Sequence, residues 1–168
     1  MPRWIVVFVR VVDRLNYGIG RFAMYLLFAL MGVLLWSTIS KAAFTPSNWT
    51  LEMAQFIMVA YYILGGPYSM QMGSHVRMDL LYANWSDKKR AWWDLFTVVL
   101  LIFYLGVLLW GAVDSTVYSF TYHERAPTAW RPYLWPIKVT MCIGFVLMIL
   151  QSLTYLFRDI ATIRGETI

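Results

Sequence analysis

Cysteine, histidine and acidic residues are scarce in this 168-residue chain, which has one cysteine, two histidines and nine Asp and Glu together. Each scarcity closes a class of function. A lone Cys142 cannot form an intramolecular disulfide, and a thiol inside an apolar run is first of all a small packing residue. His75 and His123 fall in polar segments on opposite sides of the topology argued below, so they do not combine as metal or haem ligands. His75 and Asp79 are four residues apart and could share a helix face; a local hydrogen bond or ion pair is the plainer reading of that spacing. No cofactor or metal is therefore expected in this chain, and no enzymatic chemistry. The basic excess of 14 Lys and Arg over 9 acids gives a net charge of +5. It is not interleaved with aromatics as a base-stacking surface would be, so no nucleic-acid partner is expected.

Hydrocarbon is what the chain has in abundance. It is 60% hydrophobic, 18% aromatic and only 14% charged, with a mean hydropathy of +0.58, against a norm of roughly half apolar and a quarter charged for globular domains. A helix needs about 20 apolar residues to cross about 30 Å of hydrocarbon. Four runs qualify: Phe22 to Phe44, Met53 to Met72, Trp93 to Ser115 and Tyr133 to Phe157. Backbone groups in lipid must be satisfied within their own segment, so these runs are helices. The fold class is all-α integral membrane: four transmembrane helices over residues 22–168, preceded by an N-terminal amphipathic interfacial helix over residues 1–21.

Charge placement orients the spans. Arg3, Arg10, Arg14 and Arg21 precede the first, Arg77, Lys88, Lys89 and Arg90 lie between the second and third, and Arg158 and Arg164 follow the fourth. The opposite side carries Lys41, Arg125, Arg131 and Lys138, partly offset by Glu52 and Glu124. The positive-inside rule makes both termini cytoplasmic, with the basic residues beside anionic membrane lipids. The first twenty residues are expected to be retained rather than cleaved as a signal peptide, because Arg10 and Arg14 interrupt the apolar core and no small-x-small site follows. At 100° per residue the four N-terminal arginines fall near one line, and Ile5, Phe8, Val9, Val12, Leu15 and Ile19 occupy the opposite arc. Such a helix lies at the interface or docks on another subunit.

The remaining signals concern boundaries. Most tryptophans fall near span ends, where they act as anchors, and Pro127, Pro132 and Pro136 mark a turn-rich outer connection that either lids the helix ends or touches a periplasmic partner. Gly65, Gly66 and Pro67 near the end of the second span remove bulk and a backbone donor, a step best explained by helix packing. Lys41, Glu52, Asp114 and Lys138 all lie near span ends, so no charge is forced to mid-depth, where it would cost about 2.5 to 3.5 kcal/mol and signal a transport pathway.

Trp49 and Glu52 at the mouth of the second span, Gly65 within it, then Gly73, His75, Val76, Arg77 and Asp79 in GSHVRMDLL, and Lys88, Lys89 and Arg90 beyond, carry a resemblance. The segment from Trp49 through Arg90 resembles the small membrane subunit, DctQ-like, of tripartite ATP-independent periplasmic (TRAP) transporters. Gln71 and Met72 depart from that pattern, in which basic residues are expected before the glycine. The resemblance implies a secondary importer of organic anions, carboxylates or sulfonates, in the bacterial inner membrane. Its partners are a large membrane subunit, which carries the Na+ and substrate sites and moves as an elevator, and a periplasmic substrate-binding protein. The small subunit is the scaffold. On that reading Glu52, His75, Arg77 and Asp79 hold the second helix and its cytoplasmic exit, while Arg10 and Arg14 belong to a helix bracing the large subunit. Two other classes are weighed against it. A respiratory-enzyme membrane anchor would need histidines at mid-depth, and a small multidrug exporter would need an acid in the first span; neither is present.

Overall fold

The computed structural model describes residues 3–43, 45, 47–73 and 87–164. Among these, the ordered elements are four helices: α1 (Arg3–Ala43), α2 (Thr50–Gln71), α3 (Asp87–Thr121) and α4 (Trp135–Arg164). His75, Arg77 and Asp79 lie outside the described residues, and for Arg90 only the helical backbone is described.

The helices lie side by side in the order α1, α2, α4, α3, with α1 also touching α4. Directions follow from the pairs that meet. Ile63 approaches Gly144, Gly66 approaches Met148 and the Tyr155 hydroxyl donates to the Met70 carbonyl, so α2 and α4 run parallel. Gly20 meets Tyr68 and Asn16 meets Gln151, so α1 runs against both. Thr116 pairs with Cys142 at 3.3 Å, placing α3 antiparallel to α4. One end of the row therefore gathers the start of α1 and the ends of α2 and α4. The opposite end carries both described connections.

Helices α1, α3 and α4 are each long and apolar enough to cross a membrane. At 22 residues α2 is about 33 Å long and could do so by length. Its Glu52, Gln55, Gly65, Gly66, Pro67 and three tyrosines interrupt the apolar run, and α2 is not among the helices apolar enough to qualify. These residues are tolerated because α2 lies between α1 and α4. Pro67 is buried without ending the helix, which stops at Met72 and Gly73, where the glycine takes φ +66° and donates its N–H to the Met70 carbonyl at 2.9 Å. Only glycine enters that left-handed region without strain, which accounts for Gly73.

Two expectations change. No break separates residues 1–21 from the first span: α1 is a single 41-residue helix, about 61 Å long and about twice the hydrocarbon thickness. Gly18 and Gly20 alone cost too little to interrupt it, and its buried line of Ile5, Val9, Val12, Asn16, Gly20 and Ala23 continues across the expected boundary. Within the anticipated apolar arc, Leu15 is exposed and Asn16 occupies the centre. The second change concerns Gly65 and Gly66, expected to serve helix packing. Gly66 rests against Met148, but Gly65 faces open space, and the tight approaches are at Gly20 and Gly144.

Gly144→Ala drives a Cβ into the Ile63 side chain and should destabilise the bundle by about 1 to 3 kcal/mol. Gly65→Ala meets nothing and gains helix propensity, so it should be neutral or stabilising by up to about 1 kcal/mol. Thermal unfolding of both variants in detergent measures the contrast.

Candidate functional site: polar clusters joining the helices

Buried polar side chains gather at the two ends of the helix row. Where α1 begins and α2 and α4 finish, the Asp13 carboxylate accepts from Arg158 at 2.6 Å and from the Gln151 amide at 3.3 Å. A carboxylate only accepts, so Gln151 must turn its NH2 toward Asp13 and its carbonyl toward Asn16, which donates to it at 2.6 Å. From α2, Gln71 donates to the Asp13 backbone carbonyl at 3.1 Å. Asp13 thus fixes the direction of a donor chain linking three helices. The chain leaves the Asn16 Oδ1 and Gln71 Oε1 acceptors buried and without a partner among the described residues. Trp4 and Phe8 pack edge-on against Phe157 beside this cluster.

At the opposite end, hydroxyls form a chain from Ser40 through Ser47 and Thr50 to Ser37 in steps of 3.1 to 3.2 Å and pin the start of α2 to the end of α1. The connection from α3 to α4 is equally ordered. Arg125 and Tyr133 form an antiparallel bridge, the Arg125 guanidinium lies 4.3 Å from the Tyr133 ring centroid and hydrogen-bonds its hydroxyl, and Ala126 N–H reaches the Pro132 carbonyl at 2.9 Å. Beneath it Lys138 donates to Glu124 at 2.7 Å, and the Ser119 hydroxyl donates to the same carboxylate. These two hydrogen bonds, Lys138 first, hold the Glu124 carboxyl below the ordinary carboxylate value.

The residues singled out from sequence are scattered relative to these clusters. Arg10 and Arg14 are exposed and make no ion pair among the described residues. Trp49 caps α2 with its backbone carbonyl, which accepts from Met53 at 3.0 Å. Glu52 stands in the first turn of α2, but it is buried rather than on the surface, and its Oε2 has no partner among the described residues. Asp114 is exposed on α3. Asp13, Asn16 and Gln151 escaped a reading that searched the spans for ionisable groups. The available signal was an amide in the middle of an apolar helical arc, which needs a partner wherever it is buried.

Gln151→Ala leaves the Asn16 amide and one Asp13 oxygen short of a bond and should cost about 1 to 3 kcal/mol. Asn16→Ala combined with Gln151→Ala should cost less than the sum of the singles, because the two act through one bond; a double-mutant cycle of thermal unfolding measures the coupling. For Glu124 the depressed carboxyl stabilises the loop fully above the ordinary value of 4.5 and loses that contribution as pH falls through the lower folded value. Protection of the amides of residues 122–134, taken relative to their intrinsic exchange rates at each pH, should fall on acidification through that range, and Glu124→Gln should lower it already at neutral pH.

Comparison with family models matches residues 6–162 to the family described as tripartite ATP-independent periplasmic transporters, DctQ component. Comparison with curated proteins and with solved structures returned no match. The match spans all four helices and both polar clusters, which makes the chain a member of the DctQ family, the small membrane component of TRAP transporters.

Proposed function

We propose that this chain is the static frame of an importer for organic anions, carboxylates or sulfonates, on which a larger elevator-type subunit carries the substrate and is driven by Na+. It crosses the inner membrane four times, α2 included, with both termini in the cytoplasm. The observation that carries this reading is the outer face of α3. Trp92, Phe96, Val99, Phe103, Val107 and Trp110 recur at spacings of three and four residues, and all are exposed, Trp110 at 81%. That row spans about 27 Å, the thickness of the hydrocarbon layer, with tryptophan at each end. A face this apolar needs lipid or another membrane protein against it.

Opposed to that face are helices locked to one another by buried amides and close glycine contacts. A frame must resist sliding, and two arrangements of such interlocked helices are not readily interconverted. The family assignment gives the respiratory-anchor alternative no support. The ordered cap between α3 and α4 supports a role in receiving the periplasmic binding protein, because the bridge and the contact of the Arg125 guanidinium with the Tyr133 ring hold these two residues together. His75, Arg77 and Asp79 are assigned to the cytoplasmic exit of α2 by their place in the sequence, directly after Gly73.

Reconstitution in liposomes tests the assignment. Anion uptake should require this chain, the large subunit and the binding protein together, and Asp79→Ala should lower uptake or assembly without reordering substrate preference. Gradient-driven solute movement through the isolated chain would overturn the static role.

A further inference from the structure

Between α1 and α2 lies a cleft of about 420 Å3, within the ~300 to 1,000 Å3 range of small-ligand sites. Gly20, Ala23, Met24, Tyr62, Gly65 and Gly66 line it, and Tyr68 and Ser69 add hydroxyls toward the end where α2 finishes. Gly65 leaves the cleft open: a Cβ built there would meet nothing. This accounts for a glycine that helix packing does not use. On the helical wheel Arg21 and Arg10 lie within roughly 60° of Met24, and Arg14 within roughly 80°, all on the flank of α1 beside the cleft mouth. Arg21 is about 4.5 Å along the axis from Met24, and Arg14 about 15 Å. All three arginines are exposed and unpaired among the described residues.

We infer that this cleft binds one anionic phospholipid, its acyl chain lying along Gly65 and Met24 and its phosphate held by Arg21 with Arg14. The walls are mostly apolar, as a hydrocarbon tail requires, with tyrosine hydroxyls from Tyr61, Tyr62 and Tyr68 along them, and the arginines stand on the α1 flank toward the end where α2 finishes, as a headgroup requires. Guanidinium groups match phosphate oxygens in a bidentate geometry, and basic pockets between membrane helices are the usual form of anionic-lipid sites. The arginine stripe thereby acquires a function that a separate interfacial helix would not give it: it is the headgroup rail of a continuous helix whose next turns form one wall of the tail site. The lipid would fill the seam between α1 and α2 and stiffen it.

Native mass spectrometry of the purified full chain tests this directly. The chain is offered equal phosphatidylglycerol and phosphatidylcholine with the same acyl chains. One phosphatidylglycerol should be retained in excess, and Arg21→Gln should lower that retention about fivefold while leaving phosphatidylcholine retention unchanged. Gly65→Phe should reduce retention of both lipids by projecting a ring into the cleft, and Gly65→Ala should keep them, separating blockage from misfolding. Equal retention of the two lipids by the unmodified chain overturns the site. So does an excess of phosphatidylglycerol that survives both Arg21→Gln and Gly65→Phe. A photocrosslinker at position 65 in the assembled transporter should capture lipid; capture of the large subunit instead would assign the cleft to a partner helix.

Discussion

The Gln151 amide stands where α1, α2 and α4 converge, and the carboxylate beside it dictates which way it points. Asp13 can only accept, so the amide donates to Asp13 and accepts from Asn16, and α1 is locked to α4 at one axial position and one rotation. Apolar side chains alone would tolerate a slip of a helical turn; a buried donor chain does not, because any slip leaves several polar atoms without partners. The Arg158 to Asp13 ion pair is partly exposed and adds little energy of its own. Its effect is to keep Asp13 where the amides need it. Everything nearer the opposite end inherits this register, including the insertion of Ile63 beside Gly144 and of Tyr68 beside Gly20.

The membership of the DctQ family and the geometry bear on function from different directions. Most of the described polar side chains between the helices pair with one another, amides with amides, hydroxyls with hydroxyls, and Glu124 with Lys138 and Ser119, while Asn16 Oδ1, Gln71 Oε1 and Glu52 Oε2 have no partner among the described residues. The apolar surface faces outward instead, most fully on α3. Polar clusters thus hold the helices at both ends of the row, and hydrocarbon is what the chain presents to its surroundings. Helix α1 is about twice as long as the hydrocarbon layer is thick, and its first turns pack through Trp4 and Phe8 on Phe157 of α4.

Much of this was legible before any coordinates. Hydropathy located the four helical regions, and the resemblance in GSHVRMDLL anticipated the family, since these signals are local in the chain. The motif residues His75, Arg77 and Asp79 fall outside the described segments, so the part of the sequence most telling about kinship is not the part whose geometry is visible. The missed residues are uncharged or isolated. Asn16 and Gln151 carry no formal charge, are separated by 135 positions, and declare themselves only when two helices bring them within 2.6 Å. Gly65 and Gly144 differ in the same way: each removes a side chain, and only the neighbouring helix decides whether the space is open or occupied.

Composition and periodicity by themselves determined the helical class, the apolar stretches and the basic flank of α1, because each depends on residues within a few turns of one another. Tertiary structure alone decided that α1 is one helix rather than two, that α2 lies between α1 and α4, that Glu52 is buried and that Asp13 directs the amides of Asn16 and Gln151. The physical reason is that satisfaction of a buried polar group is a property of a pair. A sequence names each member of that pair, and only packing brings the two together.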